Sequence, residues 1–121
     1  MDISEETKGS VIVLGPKGRV DSNSAKEFEE KLLGLLNGGA KSLVIDLEGL
    51  GYISSAGLRV LLGARKTLTE AGSECLLVNM KPQIERVLEV IKALPGMRIF
   101  ASAQEADDYI ARIQEKIIEG E

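Results

Sequence analysis

Four short, mainly apolar runs along the chain have the length of β-strands: Val11–Leu14, Ser42–Leu47, Cys75–Val78 and Met97–Phe100. The second and third are almost continuously apolar, which is typical of strands covered on both faces. We therefore expect Ser42–Leu47 to lie in the centre of a sheet. Gly15-Pro16-Lys17-Gly18 follows the first run and predicts a tight turn, after which Arg19-Val20 would begin a returning strand.

Between these runs, apolar residues recur at intervals of three and four, the spacing of amphipathic helices. Four helices are predicted in this way: from Ser24 to Asn37, from Ser54 to about Gly72, from Pro82 to about Ile91, and from Ser102 to about Ile118. The first and the last open with a Ser-x-x-Glu sequence, Ser24–Glu27 and Ser102–Glu105, which has the spacing of a capping box.

The alternation of strands with helices of about 10–15 residues determines the fold class. Consecutive parallel strands need crossover connections, and these place helices against a largely parallel sheet. The pattern therefore predicts an α/β fold. The chain has 121 residues, room for one domain, which we assign to residues 1–121.

Composition narrows the classes of partner. Nineteen acidic and fifteen basic residues give a net charge of −4, and aromatic residues make up only 3%. Nucleic acid is therefore not an expected partner, because its binding relies on basic side chains and stacking platforms. No apolar run approaches the ~18 residues of a membrane span, so membrane insertion is not expected either. With Cys75 as the single cysteine, no internal disulfide can form, in agreement with a cytoplasmic location.

The chain contains no histidine. Histidine is the usual general base and the commonest transition-metal ligand, so histidine-dependent hydrolase mechanisms are excluded. No paired carboxylates or cysteine cluster appear at a recognisable spacing. We expect a binding domain with no catalysis of its own and with neither a metal nor a cofactor.

The segment Ser54-Ser55-Ala56-Gly57-Leu58 lies where a strand, a loop and a helix start meet. Its serine hydroxyls would lie among the unpaired amides of the first helical turn, and the simplest interpretation is that one of them caps the helix. A second interpretation is a phosphorylation switch, because a helix N-terminus tolerates the added charge whereas a docking partner would not. A serine nucleophile is the third, although the G-x-S-x-G elbow is missing.

Two stretches carry a resemblance to a known family, Leu43–Leu47 and Ile53–Leu62, separated by 48–52. Together with Gly18–Asp21 and Leu77–Pro82 they resemble the STAS family, and most closely its bacterial anti-sigma factor antagonists. The resemblance implies a four- to five-stranded mixed sheet with about four helices. It also implies that the unmodified chain binds an anti-sigma factor that is a serine kinase, releases the sigma factor, and is switched by phosphorylation and a serine phosphatase.

The family's usual Asp-Ser-(Ser, Thr or Ala)-Gly-Leu falls on Ser54–Leu58, so the resemblance implies Ser55 as the phosphoacceptor and Ser54 as the alternative. Ser54 stands where the family usually has aspartate. Asp21 matches a loop aspartate near the phosphoacceptor, and Asp46 ends the central strand at the same sheet edge; each could equally serve as a turn or cap. The residues expected to bind the partner are Asp21, Ser54, Ser55, Ala56, Gly57, Leu58 and Arg59.

Two functions of the binding class stay open at this point. The first is the phosphorylatable antagonist, expected to be a monomer or a weak dimer. The second is a STAS-like scaffold subunit of a transporter or signalling complex that never takes phosphate. Arg59 and Lys66 are expected to face solvent, while Leu58, Leu61 and Leu62 share the apolar stripe of their helix and are expected in the core.

Overall fold

The structure, a computed structural model, describes residues 2–38, 42–93 and 102–120. Within them the chain forms five strands and four helices. In chain order these are β1 (Asp2–Lys8), β2 (Val11–Val20), α1 (Ala25–Asn37), β3 (Ser42–Asp46), β4 (Leu50–Ile53), α2 (Ser55–Glu70), β5 (Glu74–Val78), α3 (Pro82–Ala93) and α4 (Ala103–Ile118).

The described strands form one mixed sheet in the order β1-β2-β3-β5, and β4 pairs with the far end of β2. The β1–β2 pair is antiparallel, and the other pairs are parallel. Strand β3 lies between β2 and β5, which confirms the central position expected of Ser42–Leu47. The predicted α/β class and the mixed sheet of four to five strands with about four helices are likewise confirmed.

Strand β2 differs from the prediction. The expected tight turn at Gly15–Gly18 is wrong, because the strand runs without reversal from Val11 to Val20. Its first residues, Val11–Leu14, pair with β3, and Gly18–Val20 pair with β4 across a register shift at Gly18. Gly18 has φ +85°, a conformation that favours glycine, and so permits this irregularity. The glycine and proline residues of Gly15–Gly18 therefore mark a change of strand partner within one long strand.

The remaining differences concern one strand that was not predicted, one helix cap and the burial of β5. Strand β1 was not foreseen, because its residues are mostly exposed and charged. Ser24 precedes α1 but makes no capping bond, so the capping box predicted there is not formed; at α4, Ser102 Oγ accepts from Glu105 N at 3.1 Å. The β5 residue Leu76 is 52% exposed, so full burial of that strand is wrong. The predicted strand Met97–Phe100 lies outside the described residues.

One apolar core joins the sheet to all four helices. It includes Leu14, Val20, Phe28, Leu43, Ile45, Leu58, Leu61, Ile84, Val87 and Ile110. Burial of Leu58 and Leu61 confirms their assignment to the stripe of α2, whereas Leu62 is only half-buried. None of the helices among the described residues is long and apolar enough to cross a lipid bilayer.

The lone cysteine belongs to this core. Burial raises the pKa of the Cys75 thiol above its usual value. Because the thiolate is the reactive form, we expect a thiol reagent at pH 8 to label the native protein at least ~10-fold more slowly than the chain unfolded in denaturant. Equal labelling rates in the two states, measured by mass spectrometry, would contradict this burial.

Candidate functional site

The candidate site is built at the junction of β4 and α2. The backbone N–H of Ser54 donates to the Val20 carbonyl at 2.8 Å, which holds the end of β4 against the end of β2. Ser54 Oγ accepts from the Gly57 N–H at 3.1 Å and caps α2. The simplest sequence interpretation, a serine acting as helix cap, therefore applies to Ser54.

Gly57 lies in the first turn of α2, where the helix passes close to the sheet. A Cβ at this position would be 2.6 Å from Val20 Cγ1 and 2.9 Å from Ile53 Cγ1. Both neighbours are fully buried core residues that cannot move away freely. Only glycine allows this close approach. The approach in turn fixes the position of Ser54 and Ser55 relative to the sheet.

Ser55, the predicted phosphoacceptor, is only 2% exposed. It is held by the carboxylate of Asp107 near the start of α4. Asp107 Oδ1 accepts from the Ser55 backbone N–H at 2.9 Å and from the Ser55 hydroxyl at 2.5 Å. A partly buried, charge-assisted pair of bonds from a distant helix therefore covers the hydroxyl.

A second side chain of α4 binds the strand just before the serines. Gln114 is fully buried; its Oε1 accepts from the Ile53 N–H at 2.9 Å, and its Nε2 donates to the Ile53 carbonyl at 2.7 Å. On α3, Gln83 Nε2 donates to the Gly51 carbonyl at 3.2 Å. Among the described strands β4 pairs only with β2, so these two glutamines bind the backbone along its other edge.

Asp107 and Gln114 were not among the predicted site residues, although the periodicity of α4 contains a signal for them. Asp107, Ile110 and Gln114 are spaced i, i+3 and i+7, which puts the two polar side chains on the same helix face as a fully buried isoleucine. Polar residues on a core-facing stripe require buried hydrogen-bond partners. The partner positions lie 52 and 61 residues away and cannot be read from that pattern.

Asp21 directly follows Val20 and therefore lies beside the Ser54 backbone. Its Oδ1 accepts from the backbone N–H groups of Asn23 and Ser24, both at 3.0 Å. These bonds, with the Ser24 N–H as the largest effect and the Ser24 hydroxyl next, hold the pKa of Asp21 below its usual value. Asp21 thus organises the turn before α1.

Asp46 does not join this site, contrary to the prediction of a shared acidic edge. The β2–β3 register pairs Leu14 with Ile45, so Asp46 lies level with Gly15, five residues before Val20 on β2. At about 3.3 Å per residue this is roughly 16 Å. Its Oδ1 accepts from the Glu48 N–H and from Asn79 Nδ2, so it organises a different loop.

The predicted partner-binding residues differ in their exposure to solvent. Ser54, Ser55, Gly57 and Leu58 are buried, Ala56 is half-buried, and Arg59 is exposed. Lys66 is also exposed, as expected. Arg59 borders an apolar groove of about 190 Å³ between α1 and α2, whose lining includes Val60 and the exposed Leu33. This groove, with the opposite charges of Arg59 and Glu29 in its lining, begins one turn after Ser55 on α2.

The chain is similar in sequence to proteins of one known family. The family model described as the STAS domain matches residues 2–106. BtrV of Bordetella bronchiseptica, named as a candidate anti-sigma factor antagonist, is 33% identical over 90 residues, which are 74% of this chain and 78% of BtrV.

Two solved structures share the fold. A crystal structure from Thermotoga maritima, also titled as a candidate anti-sigma factor antagonist, has a TM-score of 0.71 at 23% identity and covers 91% of this chain and 95% of its own. The Bacillus cell fate determinant SpoIIAA in its phosphorylated form has a TM-score of 0.64 at 20% identity, over 90% and 99% of the two chains. The arrangement of sheet, serine loop and α2, the family match and these likenesses together lead to one assignment: this chain belongs to the STAS domain family.

Proposed function

We propose that this protein is a cytoplasmic anti-sigma factor antagonist that binds its partner while Ser55 is unmodified and loses it when Ser55 is phosphorylated. Two similarities support the proposal: the name of the 33% identical relative, and the existence of a phosphorylated form of SpoIIAA, whose fold is shared. The partner would be an anti-sigma factor with serine kinase activity, and a serine phosphatase would restore binding.

The observation that carries the proposal is the position of Ser55 at the first residue of α2, one turn from the exposed Arg59 and the groove it borders. A phosphoserine adds about −1.5 to −2 charges at pH 7. Added one turn before Arg59, this charge would lie at the edge of a partner docked on the groove. Desolvating or repelling that charge would weaken docking without unfolding the sheet.

A second candidate function also has support from the site. Ser55 is buried and bonded to Asp107, so a kinase cannot reach the hydroxyl in the conformation described. This favours a scaffold subunit of a transporter or signalling complex that never takes phosphate. The two candidates differ in one measurable respect, whether modification at position 55 changes the affinity for an anti-sigma factor.

The experiment measures binding of the purified chain to each serine-kinase anti-sigma factor of the source organism by calorimetry. We expect the unmodified chain to bind one of them, and phosphoserine introduced at position 55 to weaken that binding at least ~10-fold, which is about 1.4 kcal/mol. Ser55→Asp should act in the same direction with a smaller effect, because it carries less charge.

Ser10→Asp is the matched control. Ser10 is exposed and precedes the start of β2, whereas the site lies at the end of that ten-residue strand. This variant should bind as the parent does. Equal affinity of the parent and the phosphoserine-55 protein would overturn the switch, and failure of the unmodified chain to bind any such anti-sigma factor would favour the scaffold.

A further inference from the structure

We propose that α4 controls the switch: docking of Asp107 on Ser55 and phosphorylation of Ser55 exclude each other, so that modification releases the first half of α4 from the serine loop. This inference rests on the proposed function and adds a regulatory element to it. It starts from the Asp107–Ser55 contact, the pair of bonds in which one carboxylate oxygen accepts from both the N–H and the hydroxyl of Ser55.

Electrostatic repulsion opposes simultaneous docking of Asp107 and phosphorylation of Ser55. The Ser55 N–H is one of the unpaired donors at the N-terminus of α2, and Asp107 already satisfies it with a negative charge. A phosphate on the neighbouring Oγ would bring a second, larger anion to the same donor. Two anions within hydrogen-bond distance repel each other, so the carboxylate and the phosphate compete for one place.

The space around the Ser55 hydroxyl is also too small for a phosphate. Ser55 is 2% exposed, and its Oγ lies 2.5 Å from Asp107 Oδ1. That spacing leaves no room for a phosphorus atom and three further oxygens between α2 and α4. Leu58 and Leu61 fix α2 in the packed core, whereas Asp107 is only half-buried, so the element that must give way is the Asp107 end of α4.

The release should be confined to one end of the helix. Gln114 lies seven residues after Asp107, about 10.5 Å along α4, and binds the Ile53 backbone with neutral groups. Ile110, fully buried, lies between them. A charge at position 55 acts on the Asp107 end directly and leaves the Gln114 bonds intact. The part of α4 from its first residue to about Ile110 would therefore separate from the serine loop.

Asp107 also blocks access to the Ser55 hydroxyl before Ser55 is phosphorylated. In the transfer, Ser55 Oγ forms a bond to the terminal phosphorus of a nucleoside triphosphate, the bond from that phosphorus to the leaving diphosphate breaks, and the hydroxyl proton passes to a base of the kinase. Oγ is reachable only when Asp107 has moved away. The stability of the Asp107–Ser55 contact therefore sets how often the site is open, and the coupling acts equally in both directions.

Hydrogen exchange of the protein with phosphoserine at position 55 tests the release. We expect the backbone amides of residues 105–112 to exchange at least ~10-fold faster than in the unmodified protein, while those of β3 and the second half of α2 keep their rates. Phosphoserine at the exposed position 10 serves as control and should change neither. Unchanged protection of residues 105–112 in the phosphoserine-55 protein would overturn the inference.

A second test needs neither a kinase nor phosphate. In Ser55→Cys/Cys75→Ala protein, labelling by an uncharged maleimide at the alkaline plateau of its pH profile reports access to position 55. Adding Asp107→Ala should raise that rate at least ~10-fold, whereas Asp108→Ala, which changes an exposed neighbour bonded to Gln104, should leave it within about twofold. Equal rates with and without Asp107 would overturn the occlusion.

The two proposals fail separately. If phosphoserine at position 55 abolishes partner binding while α4 keeps its protection, the control by α4 is wrong and the proposed function stands. If α4 is released and the affinity for the anti-sigma factor is unchanged, the contact is a true coupling and the proposed function is wrong.

Discussion

Replacing Gln114 with leucine is expected to lower the free energy of unfolding by about 3–5 kcal/mol. The amide of Gln114 is fully buried and satisfies both the N–H and the carbonyl of Ile53. Leucine has a similar volume but offers no hydrogen bond, so two buried backbone groups would lose their partners at about 1–3 kcal/mol each. Urea unfolding followed by circular dichroism measures the change.

Gln104→Leu is the matched control for this experiment. Gln104 lies on the same helix, is exposed, and donates its side-chain N–H to the exposed Asp108. Its replacement should change stability by less than about 0.5 kcal/mol. A Gln114→Leu protein within 1 kcal/mol of the parent would show that water replaces the amide after local opening of α4, and would contradict a tightly docked helix.

Gly57→Ala is expected to be the second large effect, a loss of about 3 kcal/mol of stability. A Cβ there would overlap Val20 Cγ1 and Ile53 Cγ1, two core residues that pair with each other at the ends of β2 and β4. Relief requires α2 to move away from the sheet, which would also shift Ser54 and Ser55. The same unfolding measurement gives the stability, and hydrogen exchange of α2 reports the displacement.

The control is Gly63→Ala in the same helix. A Cβ at Gly63 would meet nothing within 4 Å, and the residue is exposed. Alanine should therefore stabilise the protein by about 0.5–1 kcal/mol through its higher helix propensity. If the two alanine variants were equally stable, the close approach of α2 to β2 and β4 at Gly57 would be refuted.

Much of the fold could be predicted from local pattern. Continuous apolar runs identified β3 and β5, and three- and four-residue spacing identified all four helices, because both signals arise from the side of an element that faces the core. Strand β1 escaped because its exposed face and its edge position leave almost no apolar pattern. Gly15–Gly18 was misjudged as a turn because proline and glycine also occur where a strand changes partners.

Of the candidate site, only the serine loop could be predicted from the sequence. Ser54, Ser55 and Gly57 are contiguous, so helix capping and the family resemblance both identified them. Asp107 reaches Ser55 across 52 residues, a pairing that depends on how α4 packs rather than on any spacing in the chain. For the same reason Asp46 was grouped with Asp21, although the strand register separates them along β2.

The glutamine contacts along β4 also bear on how the protein behaves in a crowded cell. A strand with free backbone groups on one side is a template on which another polypeptide can add, the first step toward fibrous aggregates. Gln83 and Gln114 occupy those groups at Gly51 and Ile53 with side-chain amides. Copies of this chain are thereby prevented from adding to one another along this strand.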